Sequence, residues 1–199
     1  MINQVYQLVA PRQIEVTYDE RSLNTDRVVV RPTYLSICHA DQRYFTGSRS
    51  AEVLAKKLPM AMIHEGIGKV VHDPSGTFKK GTLVAMVPNT PTEDDDIIGE
   101  NYLRTSRFRS SGYDGYMQDY VFLKADRLVE VPVDLDPEVA AFTELVSVSV
   151  HALTRFEKIA HPRRETFGVW GDGNLGFITA LLLRKLYPEA KLLVFGKTQ

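Results

Sequence analysis

The chain has 199 residues, 44% hydrophobic and 25% charged, with a formal net charge of −1. That composition gives material for a core, and it carries no basic field to draw nucleic acid or an anionic membrane. The longest apolar run, near Ile178 to Leu183, is too short to span a bilayer, the start "MINQVYQLVAPRQIEV" lacks a signal-peptide pattern, and one cysteine, Cys38, excludes an internal disulfide framework, so the cytoplasm is the expected location.

Up to about Val150 the signals are strand and turn. "DRVVVRPTYLSI" (Asp26 to Ile37) is rich in β-branched and aromatic residues, and "GKVVHD" runs into the turn "DPSG". "FKKGTLVAMVP" is a further strand, and "YMQDYVFLKADRLVEVP" gives two short ones. This half reads as an irregular, mostly antiparallel β-domain. Between Pro88 and Gly115 lies a polar segment, read as a long loop or lobe. Its run Glu93 to Asp96 is a solvated charge cluster.

The pattern then changes. "DPEVAAFTELVSVSVHALTRF" has helical apolar spacing, so one helix capped by Asp136 is expected. "TFGVWGDGNLGFITALLLRKLYPEAKLLVFGK" gives a strand, a glycine turn, an amphipathic helix ended by Pro188, and a second strand. That is a β-α-β opening. The expected fold class is α/β with a β-rich part, divided as 1–150 and 151–199. Two parallel strands and a helix do not complete a doubly wound domain, so the sequence is expected to be part of a longer protein.

"GDGNLG" sets Gly171, Gly173 and Gly176 in the G-x-G-x-x-G pattern, with Asn174 and Leu175 between the last two. Following a strand and opening a helix, the pattern is the fingerprint of a pyrophosphate cradle. The first glycine allows the turn, the second close approach of the phosphates, the third tight helix–strand contact. An NAD site carries an acid about twenty residues further on. Here that count reaches Gly196, followed by Lys197 and Thr198, which suit a 2′-phosphate, so NADP(H) is the expected cofactor.

Two further stretches carry metal-capable side chains. "SICHADQRYFTG" holds Cys38, and "IHEGIGKVV" holds His64 and Glu65. Alone, Cys38 would read as a core thiol and Glu65 as a polar residue at a strand start. With "GYMQDYV", "AAFTELVSVSVHAL" and the glycine fingerprint in order, the chain resembles the zinc-dependent medium-chain alcohol and polyol dehydrogenases. The resemblance implies a GroES-like catalytic domain followed by a Rossmann domain, of which only the first β-α-β is present. It implies one catalytic zinc, with Cys38, His64, Glu65 and Glu144 as candidate ligands. One thiolate, one imidazole and one carboxylate leave a fourth position open, as a catalytic zinc needs. It also makes Glu65 and Glu144 candidate proton handlers, since Ala40 stands where many members carry a relay hydroxyl. Whether Glu65 or water takes the fourth position stays open. His39 is a candidate contact of the cofactor pyrophosphate. Gly66 and Gly68 are expected to turn the chain beside the metal. The lobe lacks the cysteines of a second, structural zinc. A zinc-free quinone-reductase type is the rival enzyme reading, and a non-catalytic binding module the rival of another class.

"YQLVAPRQIEV", "VPNTPTEDD" and "FRSSGYDGYMQDYV" are similar to the ribulose-5-phosphate reductase branch of that family, which serves CDP-ribitol synthesis for teichoic acid or capsule. This implies ribulose 5-phosphate and ribitol 5-phosphate as substrate and product, a cytidylyltransferase as pathway partner, and a homo-oligomer. Arg43 and Arg109 are the candidate phosphate grips, with Arg104 and Arg107 as alternatives, because a guanidinium fork matches phosphate.

Overall fold

A hairpin opens the chain: β1 (Ile2–Ala10) pairs antiparallel with β2 (Gln13–Glu20). The structure, a computed structural model, describes residues 1–197 apart from the Asn101 side chain. It divides into two compact units, Met1–Phe142 and Thr143–Gln199.

In the first unit the chain continues through β3 (Val28–Ser36), helices α1 (His39–Phe45) and α2 (Ala51–Lys57), β4 (Met60–Ala61), β5 (Glu65–His72) and β6 (Leu83–Met86). The lobe holds a two-residue ladder, β7 (Asn89–Thr90) with β8 (Arg107–Phe108). Then come β9 (Val121–Leu123), β10 (Leu128–Glu130) and α3 (Pro137–Ala140). β4 joins β1 on the side away from β2. The remaining long strands make a five-stranded antiparallel sheet in the order β10-β6-β5-β3-β9.

β3 and β5 are central in that sheet. Val28, Val29 and Val30 are all buried, as are residues 65–68, so both faces of these segments are covered. Val28, Val30, Val70, Val84, Tyr116, Val121 and Leu123 form the main core. A second cluster gathers Leu8, Tyr44, Met60, Met62 and Ile63. Each fully buried Val, Leu or Ile side chain contributes about 1.5–3 kcal/mol. β3 and β5 pair from Val29↔His72 to Ser36↔Glu65, with register shifts between Val29 and Val30 and between Pro32 and Tyr34.

Gly66 and Gly68 lie inside β5 rather than in a turn. A Cβ on Gly66 would come 2.8 Å from the Tyr34 carbonyl oxygen, and one on Gly68 2.5 Å from that of Arg31. The glycines therefore serve the close approach of β5 to β3. This corrects the expected tight turn. Helices α1 and α2 escape the sequence pattern because each has seven residues. Only Asp41 and Tyr44 of α1 are buried, and none of α2, so neither shows an apolar stripe.

The second unit holds α4 (Thr143–Ile159), β11 (Thr166–Trp170), α5 (Asn174–Leu186) and β12 (Lys191–Phe195). β11 and β12 pair in parallel, Thr166↔Lys191 to Trp170↔Phe195. The single helix expected from Asp136 onward is two: α3 ends at Ala140 and α4 begins at Thr143. Asp136 does cap the first, accepting from Glu138 N–H at 2.8 Å. Among the described residues no helix is long and apolar enough to cross a membrane.

Candidate metal centre and dinucleotide loop

The end of β3 and the start of β5 meet at the Ser36↔Glu65 pair. Cys38 follows one strand as the residue capping α1, and His64 immediately precedes the other. The ladder thus delivers three side chains to one place. Ligand atoms of Cys38, His64 and Glu65 lie within 4.8 Å of one another, the one such group among the described residues. His64 is 7% exposed and Glu65 1%.

The donor set fits a cation. His64 Nδ1 and Glu65 Oε1 are buried and make no hydrogen bond among the described residues. The nearest opposites, Asp41 Oδ1 to His64 Nδ1 and Glu65 Oε1 to His64 Nε2, are both 3.8 Å away, beyond hydrogen-bonding range. Burial pushes the Cys38 thiol up to about 11; the Ala40 N–H opposes this and the Glu65 carboxylate adds to it. A sulfur, an imidazole nitrogen and a carboxylate oxygen, two of these groups with orphaned atoms, are the ligand types that zinc takes.

Asp41, in the first turn of α1, organises this cluster and was not among the sequence candidates. It is 2% exposed. Its Oδ1 accepts from the Ile63 N–H at 3.0 Å and the Ser110 hydroxyl at 2.8 Å, and its Oδ2 from the Cys38 N–H at 3.2 Å. One carboxylate therefore holds the backbone beside both His64 and Cys38. Ile63 sits at φ 70°, a left-handed conformation that β-branched residues rarely adopt. It is held at both ends, by Asp41 at its N–H and by the Tyr116 N–H at its carbonyl, 2.7 Å. Strain of that kind persists only where the surroundings over-determine it. The signal for Asp41 was present: an acid three residues after Cys38 is the reach-back position of a capping box. Phe108 stacks edge-on against His64, ring centres 5.2 Å apart, and no sequence pattern marked it.

The other candidates separate. His39 and Arg43 are exposed on α1, as are Arg104 and Arg107 in the lobe. Arg109 is 5% exposed, and its guanidinium donates to the Asp114 and Phe122 carbonyls, each at 3.0 Å, while lying over the Tyr113 and Tyr116 rings. A fork spent on backbone carbonyls is a strut, which corrects its assignment as a phosphate grip. Glu144 lies in the first turn of α4, in the second unit.

In that unit the glycines follow the cradle logic. Gly171 adopts φ 131°. A Cβ on Gly176 would come 1.9 Å from the Gly171 carbonyl oxygen, whereas one on Gly173 would meet nothing within 4 Å. Helix and strand meet tightly at one glycine, and open space stands over the other. Gly173 caps α5, whose first residues are Asn174 and Leu175. Lys197 is exposed beyond β12, and Thr198 lies outside the described residues.

The sequence profile of the alcohol dehydrogenase GroES-like domain matches residues 24–133. The chain belongs to this family. Within it, the chain is 67% identical to ribulose-5-phosphate reductase of Bacillus spizizenii and 65% identical to ribulose-5-phosphate reductase 1 of Staphylococcus aureus. Each alignment covers 100% of this chain and 58% of the relative, so the chain spans under three fifths of the length of these curated relatives. The crystal structure of S. aureus TarJ in complex with NADPH matches with a TM-score of 0.82 at 56% identity, covering 100% of this chain and 55% of that one. The structure of L-idonate 5-dehydrogenase from Escherichia coli matches at 0.84 with 22% identity over 100% and 64%, a likeness of fold alone. The GroES-like fold and the medium-chain dehydrogenase relationship stand as the motifs implied.

Proposed function

We propose that the whole protein is a cytoplasmic, NADPH-dependent zinc oxidoreductase that reduces ribulose 5-phosphate to ribitol 5-phosphate, supplying CDP-ribitol synthesis. The observation that carries this is the Cys38–His64–Glu65 cluster with its orphaned buried atoms. The glycine cradle and the 67% identity to a ribulose-5-phosphate reductase support it.

Cys38 and His64 would hold the metal through sulfur and imidazole nitrogen, joined by a carboxylate from Glu65 or Glu144. When bound, zinc supplies a Lewis acid for a carbonyl oxygen, and NADPH supplies the hydride. Glu65 is positioned to hold the proton that the product hydroxyl needs, and Glu144 is its counterpart on α4. Arg43, exposed on the same helix that Cys38 caps, clasps the substrate phosphate through two N–H groups. The backbone at Gly173, Asn174 and Leu175 would receive the pyrophosphate, with His39 a candidate contact of the same group, and Lys197 with Thr198 would select the 2′-phosphate. A GroES-like zinc domain followed by a Rossmann domain, a homo-oligomer, and a cytidylyltransferase as pathway partner belong to the same proposal; the boundary expected between residues 150 and 151 falls inside α4, and the compact units divide between Phe142 and Thr143.

The test measures zinc per chain and NADPH absorbance with ribulose 5-phosphate. The 199-residue chain is expected to hold zinc without turnover, and a chain of the relatives' length to turn over. Full activity of a verified metal-free enzyme would overturn the reading. Arg43→Ala in the longer chain should raise KM for the sugar phosphate about 10- to 100-fold, the weight of a charge-assisted pair. An unchanged KM removes Arg43.

A further inference from the structure

We infer that residues 108–110 of the lobe form a clasp on the metal site, with Ser110 a positioning residue that acts through Asp41 and Phe108 a brace on the His64 ring. The inference rests on the zinc reading above.

A metal-bound imidazole is held in orientation by the partner of its second nitrogen, and such partners weigh about 10- to 100-fold in metal affinity. In this chain the group facing His64 Nδ1 is Asp41, 3.8 Å away. Three donors fix that carboxylate: the Ile63 N–H, the Cys38 N–H and the Ser110 hydroxyl. Two are backbone groups from the ligand segments themselves. Ser110 is the side-chain leg, at 2.8 Å the shortest, and it comes from a different part of the chain.

The strap that carries Ser110 is fixed in place. Ser110 is 3% exposed and sits at φ 59°, with its N–H donating to the Tyr113 carbonyl at 2.8 Å. Next to it, Arg109 is tied to the Asp114 and Phe122 carbonyls. Two residues earlier, Phe108 meets the His64 ring edge-on at an interplanar angle of 60°. Phe108 remains 38% exposed, so its place is poorly accounted for by burial and well by its contact with His64. The lobe therefore touches the site twice, once on the histidine ring and once on the carboxylate behind it. Docking of the lobe sets how fast the metal leaves.

The experiment follows zinc transfer from the full-length, zinc-loaded protein to a colorimetric chelator, and the visible spectrum of the cobalt-substituted protein. Ser110→Gly removes the hydroxyl and suits the positive φ, so it should fold. Phe108→Leu removes the ring at a half-exposed site. Each should speed zinc release about 10- to 100-fold and alter the cobalt bands, with little change in thermal melting of the metal-free protein. Release within about two-fold of wild type, with the same cobalt spectrum, overturns the clasp. A wild-type protein that holds no zinc overturns the metal reading itself, and the clasp with it.

Discussion

Asp41→Asn isolates the carboxylate behind the ligands. Asparagine keeps one carbonyl oxygen, which continues to accept from Ile63 and Ser110. The other oxygen becomes NH₂ and faces the Cys38 N–H, now 3.2 Å from a donor instead of an acceptor. An orphaned buried donor costs about 1–3 kcal/mol. For a chain of this size each kcal/mol lowers the melting temperature by about 2–4 °C, so a fall of about 2–12 °C is expected. Asp41→Ala removes all three acceptor contacts and frees the strained Ile63, at about 3–6 kcal/mol. That is a large share of a typical 5–15 kcal/mol stability. Melting and urea unfolding of the metal-free protein measure both. If Asp41→Asn melts within about 1 °C of wild type, the carboxylate does not hold the two ligand segments together.

Cys38 should show its environment in pH. Its thiol is pushed up to about 11, mainly by burial, so the folded state favours the neutral form. That contribution to stability is complete below the ordinary value of 9.0 and is lost as pH rises through about 11. In metal-free protein the alkylation rate should still be climbing between these values; a plateau already at pH 9 contradicts the environment described. Gly176→Ala places a Cβ against the Gly171 carbonyl, and NADPH affinity of the full-length protein should fall by at least about tenfold in a fluorescence titration, 1.4 kcal/mol per decade. Glu100 meets Arg127 at 2.7 and 3.2 Å, both oxygens engaged, tying the lobe to the segment before β10. A double-mutant cycle should return a coupling of about 0.5–1 kcal/mol, smaller at high salt; no coupling would make the pair incidental.

Much of this was legible from residue order. The buried strands β3 and β5 announced themselves as β-branched runs, and the β-α-β opening as a strand, three glycines and an amphipathic helix. His64 and Cys38 were readable only jointly, since neither segment alone says that β3 and β5 pair at Ser36↔Glu65. Asp41 carried the capping-box spacing to Cys38, but its wider role was hidden because it accepts from the Ile63 N–H and the Ser110 hydroxyl, and sequence shows a side chain without its donors. Arg109 misled for the opposite reason. A guanidinium reads as a phosphate ligand until the carbonyls that occupy it are seen. The break between α3 and α4 was invisible because the apolar spacing runs on through Ala141 and Phe142 while the backbone does not.

The pairing of β3 with β5 has a bearing on how such a chain tolerates change in length. An insertion or deletion inside either strand shifts every partner by one, and a one-residue slip reverses the faces of all side chains beyond it. Glu65 would then turn away from Cys38. Length can vary only where no ladder crosses, and between the two ligand segments the mostly exposed turn joining α1 to α2, residues 46–50, meets that condition, whereas Val53, Leu54 and Leu58 beyond it pack against the second core cluster. Engineered tags, labels or grafted loops placed in that turn should leave the metal-binding residues in step, and the same additions in β3 or β5 should scatter them.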